Sequence, residues 1–393
     1  MPTTDYIYFD HSATTPLDPR VREAMVPFLD GVFGNPSSLH SAGRAAREAV
    51  ERARAQVAAL LRASPCEIVF TAGGSEACNL ALKGTLEAVE MRDCHVVVSA
   101  IEHPAVLETC RYLGRRGVGV THVPPDADGV VHADDVAAAM RPDTRIVSVM
   151  TANNVTGVVQ PIVAIAQAAR AGGAWCHTDA VQAFGKIPLD VTELPVDLLS
   201  LSGHKIHGPK GVGALYVRTG TPLAPLIHGG GQENGLRSGT ENVAALVGLG
   251  CAAELAQHEM DAEAARLTLL RDRIVAFALQ RISGAYLIGH AKNRLPGHVC
   301  LGFDSLEPRA VEVLLALDEA GIAASSGSAC SAAHAAEPSY ILQAMGFDQV
   351  RARGSLRITL GRGNTEAEVE RFLEVLPAIV ARMRERPGTF SRT

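Results

Sequence analysis

Five lysines, Lys83, Lys186, Lys205, Lys210 and Lys292, stand among 36 basic residues, and the rest are arginine. An amine can form an imine with an aldehyde and a guanidinium cannot, so these lysines are the first candidates for covalent chemistry. Lys83 precedes Gly84 at a helix end, and Lys186 and Lys292 fall in loop contexts, where a solvated side chain is the ordinary expectation. Lys205, in "SLSGHKIHGPKGVG", follows an apolar run and two small residues. Burial there would lower its pKa and make the amine nucleophilic. Lys210, in the "GPKG" turn, is its competitor and ranks second.

Other chemistry-bearing groups sit at equivalent places. "TAGGSEACN" puts Gly73, Gly74 and Ser75 between a strand and a helix, so backbone N–H groups and the helix N-terminus can face an anion. Its spacing matches neither a Walker A loop nor G-x-G-x-x-G, and a bare helix cap explains it when taken alone. Glu102-His103, Asn153-Asn154, Asp179 with Gln182, and Ser202-Gly203-His204-Lys205 also follow apolar runs. Each has a turn explanation by itself. Together they line the carboxyl-end edge of a parallel sheet, where ligands bind in open α/β folds. A lysine imine, an acid two strands away and an anion cradle describe pyridoxal 5'-phosphate, whose ring nitrogen needs a carboxylate such as Asp179 to stay protonated.

The positioning elements read as one repeated unit from about residue 66 to 217: a short β-branched run, a polar punctuation and an Ala- and Leu-rich helical stretch. "CEIVFTAGGSEACNLALKG", "HVVVSAIEHPAVLETC", "RIVSVMTANNVTG", "AWCHTDAVQAF" and "VDLLSLSGHK" follow it, and "GVGALYV" closes the series. That alternation predicts an α/β fold with a mostly parallel sheet covered on both faces. "SAGRAAREAVERARAQVAALLRA" predicts a long amphipathic helix. A compositional shift near residue 260 predicts a large domain over 16–260 and a smaller α+β domain built from 1–15 and 261–393.

Composition excludes other classes. A chain of 393 residues with 47% hydrophobic and 20% charged residues, a formal charge of −6 and no block of like charges has no nucleic-acid footprint or membrane-binding face. No apolar run of 18 residues and no leader pattern occur, so the expected location is the cytoplasm. The eight cysteines, at 66, 78, 94, 110, 176, 251, 300 and 330, form no C-x-x-C pair and no zinc spacing, which reads as reduced thiols and no metal site. Cys330 differs from the others. "SSGSACSAAH" surrounds it with small residues and places His334 four positions on, a setting with little to pack against.

"YFDHSATTPLDPRV", "FGNPSSLHSAGR", "HTDAVQAFGK", "SLSGHKIHGPKGVGALYV", "HGGGQENGLRSGTENV" and "SSGSACSAAHAAEPSYIL" resemble the cysteine desulfurases of the NifS and IscS type, from about residue 6 to 375. Those are pyridoxal-phosphate enzymes of aminotransferase fold type I, so the resemblance implies a large domain with a seven-stranded, mostly parallel sheet. It implies that Lys205 forms the imine, Asp179 pairs with the ring nitrogen, Gln182 bonds the ring oxygen and His103 stacks on the ring. Gly74, Ser75, Ser202 and His204 would hold the phosphate, and Thr240 would reach the phosphate of the neighbouring subunit in a homodimer. Asn154 and Arg357 match positions that receive the substrate carboxylate. Cys330, on a mobile loop over about 323–338, would take sulfur from L-cysteine, leaving alanine and a persulfide for an acceptor protein such as an iron–sulfur scaffold. His103 would supply or accept a proton, and His334 is a second candidate for that task.

Val155, Ser75 and Cys78 depart from common residues of the family, the hydroxyl being kept at 75. "GTENV" is more similar to NifS than to IscS, and the last residues, "ARMRERPGTFSRT", stand where IscS-type enzymes carry a longer docking tail. The competing readings are a selenocysteine lyase or another fold-type-I lyase or aminotransferase that does not use Cys330, and a non-catalytic sulfur-carrier platform.

Overall fold

The computed structural model describes residues 6–306, 309–326 and 338–385. Cys330, His334 and most of the expected mobile loop lie outside the described residues.

Twelve strands are described: β1 (Ile7–Tyr8), β2 (Ile68–Thr71), β3 (His95–Ser99), β4 (Gly119–Val123), β5 (Thr144–Ser148), β6 (Trp175–Asp179), β7 (Leu198–Ser202), β8 (Gly213–Val217), β9 (Ala285–Leu287), β10 (His298–Phe303), β11 (Ile322–Ala323) and β12 (Leu356–Thr359). The chain begins its helices with α1 (Pro19–Met25) and α2 (Ser41–Leu61). Next come α3 (Gly74–Asn79), a π-wound stretch (Leu80–Gly84) and α4 (Thr85–Ala88), which continue one another without a break. Then follow α5 (Pro104–Arg115), α6 (Ala133–Ala139), α7 (Ile162–Ala171) and α8 (Val243–Arg281), and finally α9 (Ala310–Glu319), α10 (Tyr340–Ala344) and α11 (Glu366–Glu385).

Seven strands form the main sheet in the order β2-β8-β7-β6-β5-β3-β4. Six run parallel, as the sequence pattern requires, and β8 runs antiparallel to both neighbours. The reversal follows from chain length: β7 and β8 are joined by residues 203–212 alone, too few for the crossover that a parallel pair needs. β4 is an edge strand with three half-buried residues and one exposed, and so lacks the apolar run that announces the central strands.

Helices cover the two faces and close two cores. One holds α2 residues such as Val50, Val57 and Leu61 against Phe70, Val147, Leu199 and Leu249. A second, beneath α3 and α5, holds Leu80, Leu82, Val98 and Leu113. A separate core joins Phe9, Ile274, Leu301, Ile358 and Phe372 around the three-stranded antiparallel sheet β12-β10-β9. α8 serves both regions. Leu246, Leu249 and Ala253 pack on the main sheet, whereas Leu270, Ile274 and Ala278 pack with the second region, so the compositional change near 260 occurs inside one continuous helix. The N-terminal segment returns to that region through β1, which pairs with β11, and through Phe9, whose carbonyl accepts from Thr359 N at 2.8 Å.

Candidate active site

The carboxyl ends of the parallel strands open into a cavity of about 310 Å³. Lys205, Asp179, His103, Gln182, Ser202, His204, Gly74, Ser75, Asn154 and Arg357 line it together, so the structure gathers ten of the residues singled out from sequence. A neighbouring cavity of about 600 Å³ shares Gly74, Ser75, Ser202 and His204 and adds Gly73 and Lys210. Lys210 is exposed at that outer cavity, while Lys205 reaches the inner one, which separates the two candidates. Thr240 is exposed and lines a different depression, with Phe70, Glu233 and Arg237.

Asp179 closes β6. Its Oδ1 accepts from Val181 N at 2.9 Å. Burial is the largest influence on the carboxyl and raises its pKa, against the charges of His103 and Lys205 and contacts with Val181 and Cys78. A buried carboxylate in this state calls for a cationic N–H partner. Two strands' chemistry meets it from the side. His103 caps α5, its Nδ1 accepting from Ala105 N at 3.1 Å. Burial, with Lys205 nearby, lowers the His103 pKa. The neutral ring therefore carries its proton on Nε2, the nitrogen not committed to the cap.

Lys205 follows β7 on a tight turn, Gly203–Lys205. Its Nζ donates to the carbonyls of Ser12 and Ala13, the latter at 2.8 Å. His204 approaches Thr14 Oγ1 at 3.1 Å, and burial followed by the nearby lysines brings its pKa down to about 4. Gly74 opens the anion cradle, and a Cβ there would lie 2.6 Å from the Val181 side chain. Backbone N–H groups at the start of α3 can therefore approach a ligand closely. Glu76 fixes the turn by accepting from Ala72 N at 2.9 Å and from Arg237 Nε at 2.8 Å.

Across the cavity Arg357, on β12, is 3% exposed. It donates to Asn154 O at 3.0 Å and to Asp10 Oδ1 at 2.8 Å, but its Nε has no hydrogen-bond partner. Asn154 Oδ1 is also buried and unpartnered. Unmet buried polar groups are costly, and two at one cavity wall mark a place where a polar ligand completes the bonding. A carboxylate suits the guanidinium. Among the described residues no cluster of His, Cys, Asp and Glu could hold a metal ion.

Sequence reasoning missed the Ser12 and Ala13 carbonyls and the enclosure of Lys186. The Ser12 and Ala13 carbonyls carry no side-chain signal, although they lie in the "FDHSATT" stretch. Glu102, named with His103 from the sequence, is fully buried. Lys186, expected to be solvated, is instead enclosed, and burial, aided by Lys205 and Arg357, lowers its pKa to about 7. The contrary expectation rested on a loop context, which does not register packing by α8 and residues 359–362. Its spacing of four from Gln182 was the available signal, since its Nζ donates to Gln182 Oε1 at 3.2 Å.

The family model described as aminotransferase class-V matches residues 7–372. A cysteine desulfurase IscS of Dictyoglomus turgidum is 47% identical over 378 residues, covering 96% of this chain and 95% of the relative. A solved NifS-like protein superposes with a TM-score of 0.89 at 39% identity, covering 96% of this chain and 99% of the other. Another solved structure, SspA in complex with cysteine, has a TM-score of 0.79 and 38% identity, covering 90% of this chain and 98% of its own.

Proposed function

This chain belongs to the aminotransferase class-V family and is a cysteine desulfurase; we propose that it converts L-cysteine to L-alanine with bound pyridoxal 5'-phosphate and leaves the sulfur as a persulfide on Cys330. The observation that carries this reading is the facing of Lys205 and Asp179 by the unmet polar groups of Arg357 and Asn154 across one cavity.

The residues fit that cofactor. Lys205 offers the amine for its aldehyde, Asp179 a buried carboxyl for its ring nitrogen, and Gly74, Ser75, Ser202 and His204 a cradle for its phosphate. When bound, it supplies an exchangeable aldehyde carbon and an electron sink for a bond broken at the substrate Cα. Arg357 and Asn154 orient the substrate carboxylate. With cofactor and substrate bound, Lys205 would hold and move the Cα proton at Nζ. His103 would lie against the cofactor and hold a proton at Nε2, the nitrogen not bonded to Ala105 N. Cys330 attacks as thiolate: its sulfur bonds to the substrate sulfur, the substrate C–S bond breaks, and the bonding pair returns to the substrate carbon, which is protonated on the way to alanine.

The chain leaves the described residues just after Ser325, which pairs with Arg357, and that supports a thiol beside the substrate site. We place the cofactor-binding unit in 16–260 and the smaller unit in 1–15 and 261–393. The working form is a homodimer in which Thr240 serves the neighbouring phosphate; the exposure of Thr240 outside its own chain's cavity supports this. A protein such as an iron–sulfur scaffold accepts the sulfur, in the cytoplasm; no described helix is long and apolar enough to cross a membrane.

Cys330→Ala tests the reading. The variant should keep the cofactor and lose alanine formation from L-cysteine, and mass spectrometry of the parent after cysteine is added should find one extra sulfur on Cys330. Alanine and free sulfide produced at the parental rate by the variant would remove Cys330 from the mechanism.

A further inference from the structure

Gln182 and Lys205 both donate to one atom. Gln182 Nε2 lies 3.0 Å from Ser12 O, and Lys205 Nζ donates to the same oxygen. The amide of Gln182 is therefore a neighbour of the amine that would hold the cofactor aldehyde. In pyridoxal phosphate the ring position beside the aldehyde carries a phenolic oxygen, an acceptor when ionised. An amide serves it only with the N–H end turned inward, because the carbonyl end would repel it.

The shape of Gln182 does not choose between its two ends. Two partners distinguish them: Ser12 O, which only accepts and takes the N–H end, and on the far side Lys186 Nζ, which donates to Gln182 Oε1 at 3.2 Å. An ammonium has three donors and no acceptor, so the oxygen end of Gln182 faces the charged amine, as the Nζ–Oε1 bond shows. The first amide N–H then goes to Ser12 O and the second is left for the cavity.

The surroundings of Lys186 leave this bond as its defining contact. It shares a cavity of about 70 Å³, behind Lys205, with His11, His207 and His298. Burial lowers the pKa of all three rings, and all three also feel nearby cations. Glu263 and Arg362 line the same cavity, but Glu263 is engaged by Arg266 and Arg362 by Asp18 and Glu259. Arg357 adds a further positive charge nearby. Among the described side chains, Gln182 Oε1 is the acceptor given to Lys186.

We infer that Lys186 is a positioning residue that, together with the Ser12 carbonyl, fixes the polarity of the Gln182 amide, and so the N–H presented to the cofactor's ring oxygen beside Lys205. This rests on the cofactor reading above. The test is a double-mutant cycle in the cofactor-loaded protein, read as the pH midpoint at which the bound cofactor's visible absorbance titrates. A donor on the ring oxygen competes for the charge that holds the neighbouring proton, so its loss moves the midpoint upward. Gln182→Leu should raise it by about one pH unit, a tenfold change, and Lys186→Met, which leaves the Ser12 bond in place, should raise it in the same direction by less. The double variant should match Gln182→Leu alone, and Lys186→Arg, which keeps the donor, should stay near the parent. A Lys186→Met shift of equal size in the Gln182→Leu background, or no shift in either background, overturns the inference. A parent protein with no visible cofactor band would instead overturn the cofactor reading.

Discussion

Glu102→Gln should remove a fall in stability that the parent suffers as pH rises. Glu102 is fully buried; its Oε1 accepts from Ser99 Oγ at 2.5 Å and Met150 N at 2.6 Å, while Oε2 has no partner. Burial, with the nearby Asp179 charge, outweighs those two bonds and raises the carboxyl from 4.5 to about 8. The folded protein thus holds this proton more tightly than the unfolded chain. Below pH 4.5 both states are protonated and nothing is lost. Between 4.5 and 8 only the unfolded state releases the proton, and folding weakens by about 1.4 kcal/mol per pH unit. The accumulated cost is about 3 kcal/mol at pH 7 and about 5 kcal/mol above pH 8. Glutamine can place its oxygen against Ser99 and Met150 and cannot ionise. Its NH₂ lies where the protonated acid's O–H lies, equally without a partner. Urea denaturation of the cofactor-loaded parent and variant at pH 5 to 9 should give nearly equal stability at pH 5 and a variant stronger by about 3 kcal/mol at pH 7. Curves that stay parallel over the whole range would refute the argument, because they would mean that the carboxyl titrates alike in both states.

Arg357→Lys keeps the charge and loses the planar fork, so KM for L-cysteine should rise about 10- to 100-fold with a smaller change in kcat. Steady-state alanine formation checks it, and an unchanged KM would take the carboxylate away from Arg357. His103→Gln should lower turnover by about 100-fold. Because burial lowers the His103 pKa, any acid limb it contributes to the pH profile lies below its ordinary value of 6.5 and should vanish in the variant; a limb that survives belongs to another group. Arg54→Met strands Glu233, which is bound at 2.7 Å by Arg54 Nη1 and otherwise by Phe70 N, and should cost about 3–5 kcal/mol in thermal or urea unfolding. Adding Glu233→Gln should restore part of that loss, and a single variant as stable as the parent would show that the pair does not brace the Thr240 loop.

What could be read from the sequence was what local pattern encodes. "VDLLSLSGHK" buries five consecutive strand residues, Leu198 to Ser202, and the turn that ends them delivers Lys205 to the sheet edge. Asp179, His103 and Asn154 were legible for the same reason, each following an apolar run. Contacts made across long separations were not. The Ser12 carbonyl meets Lys205 from 193 positions away, through a backbone atom with no side-chain identity. Lys186 reads as solvated because the helix and the strand end that enclose it lie far along the chain. β4 escaped because an edge strand needs no apolar run, and the unbroken course of α8 because composition changes along a helix that itself does not stop.

The substrate side of the site belongs to two cores at once, and this has a mechanical consequence. Asn154 lies in the loop after β5 of the main sheet, whereas Arg357 is carried by β12 of the smaller sheet, and their 3.0 Å bond spans the seam. Any tilt of the smaller sheet moves the guanidinium relative to Asp179 and Lys205. The described residues on either side of 327–337 are tied into the same seam. Ser325 exchanges two backbone bonds with Arg357, and the Tyr340 hydroxyl donates to the carbonyl of Glu102 at 2.7 Å. On the proposed reading, a carboxylate bound by Arg357 would act on the strand to which Ser325 is bonded, while Tyr340 is held by the residue preceding His103. Substitutions in the β10–β12 pairing, such as Ile358→Ala, should accordingly change KM and the rate of persulfide formation together, although Ile358 itself is wholly buried and touches neither reactant. A change in protein stability with both kinetic quantities unaltered would separate the seam from the chemistry.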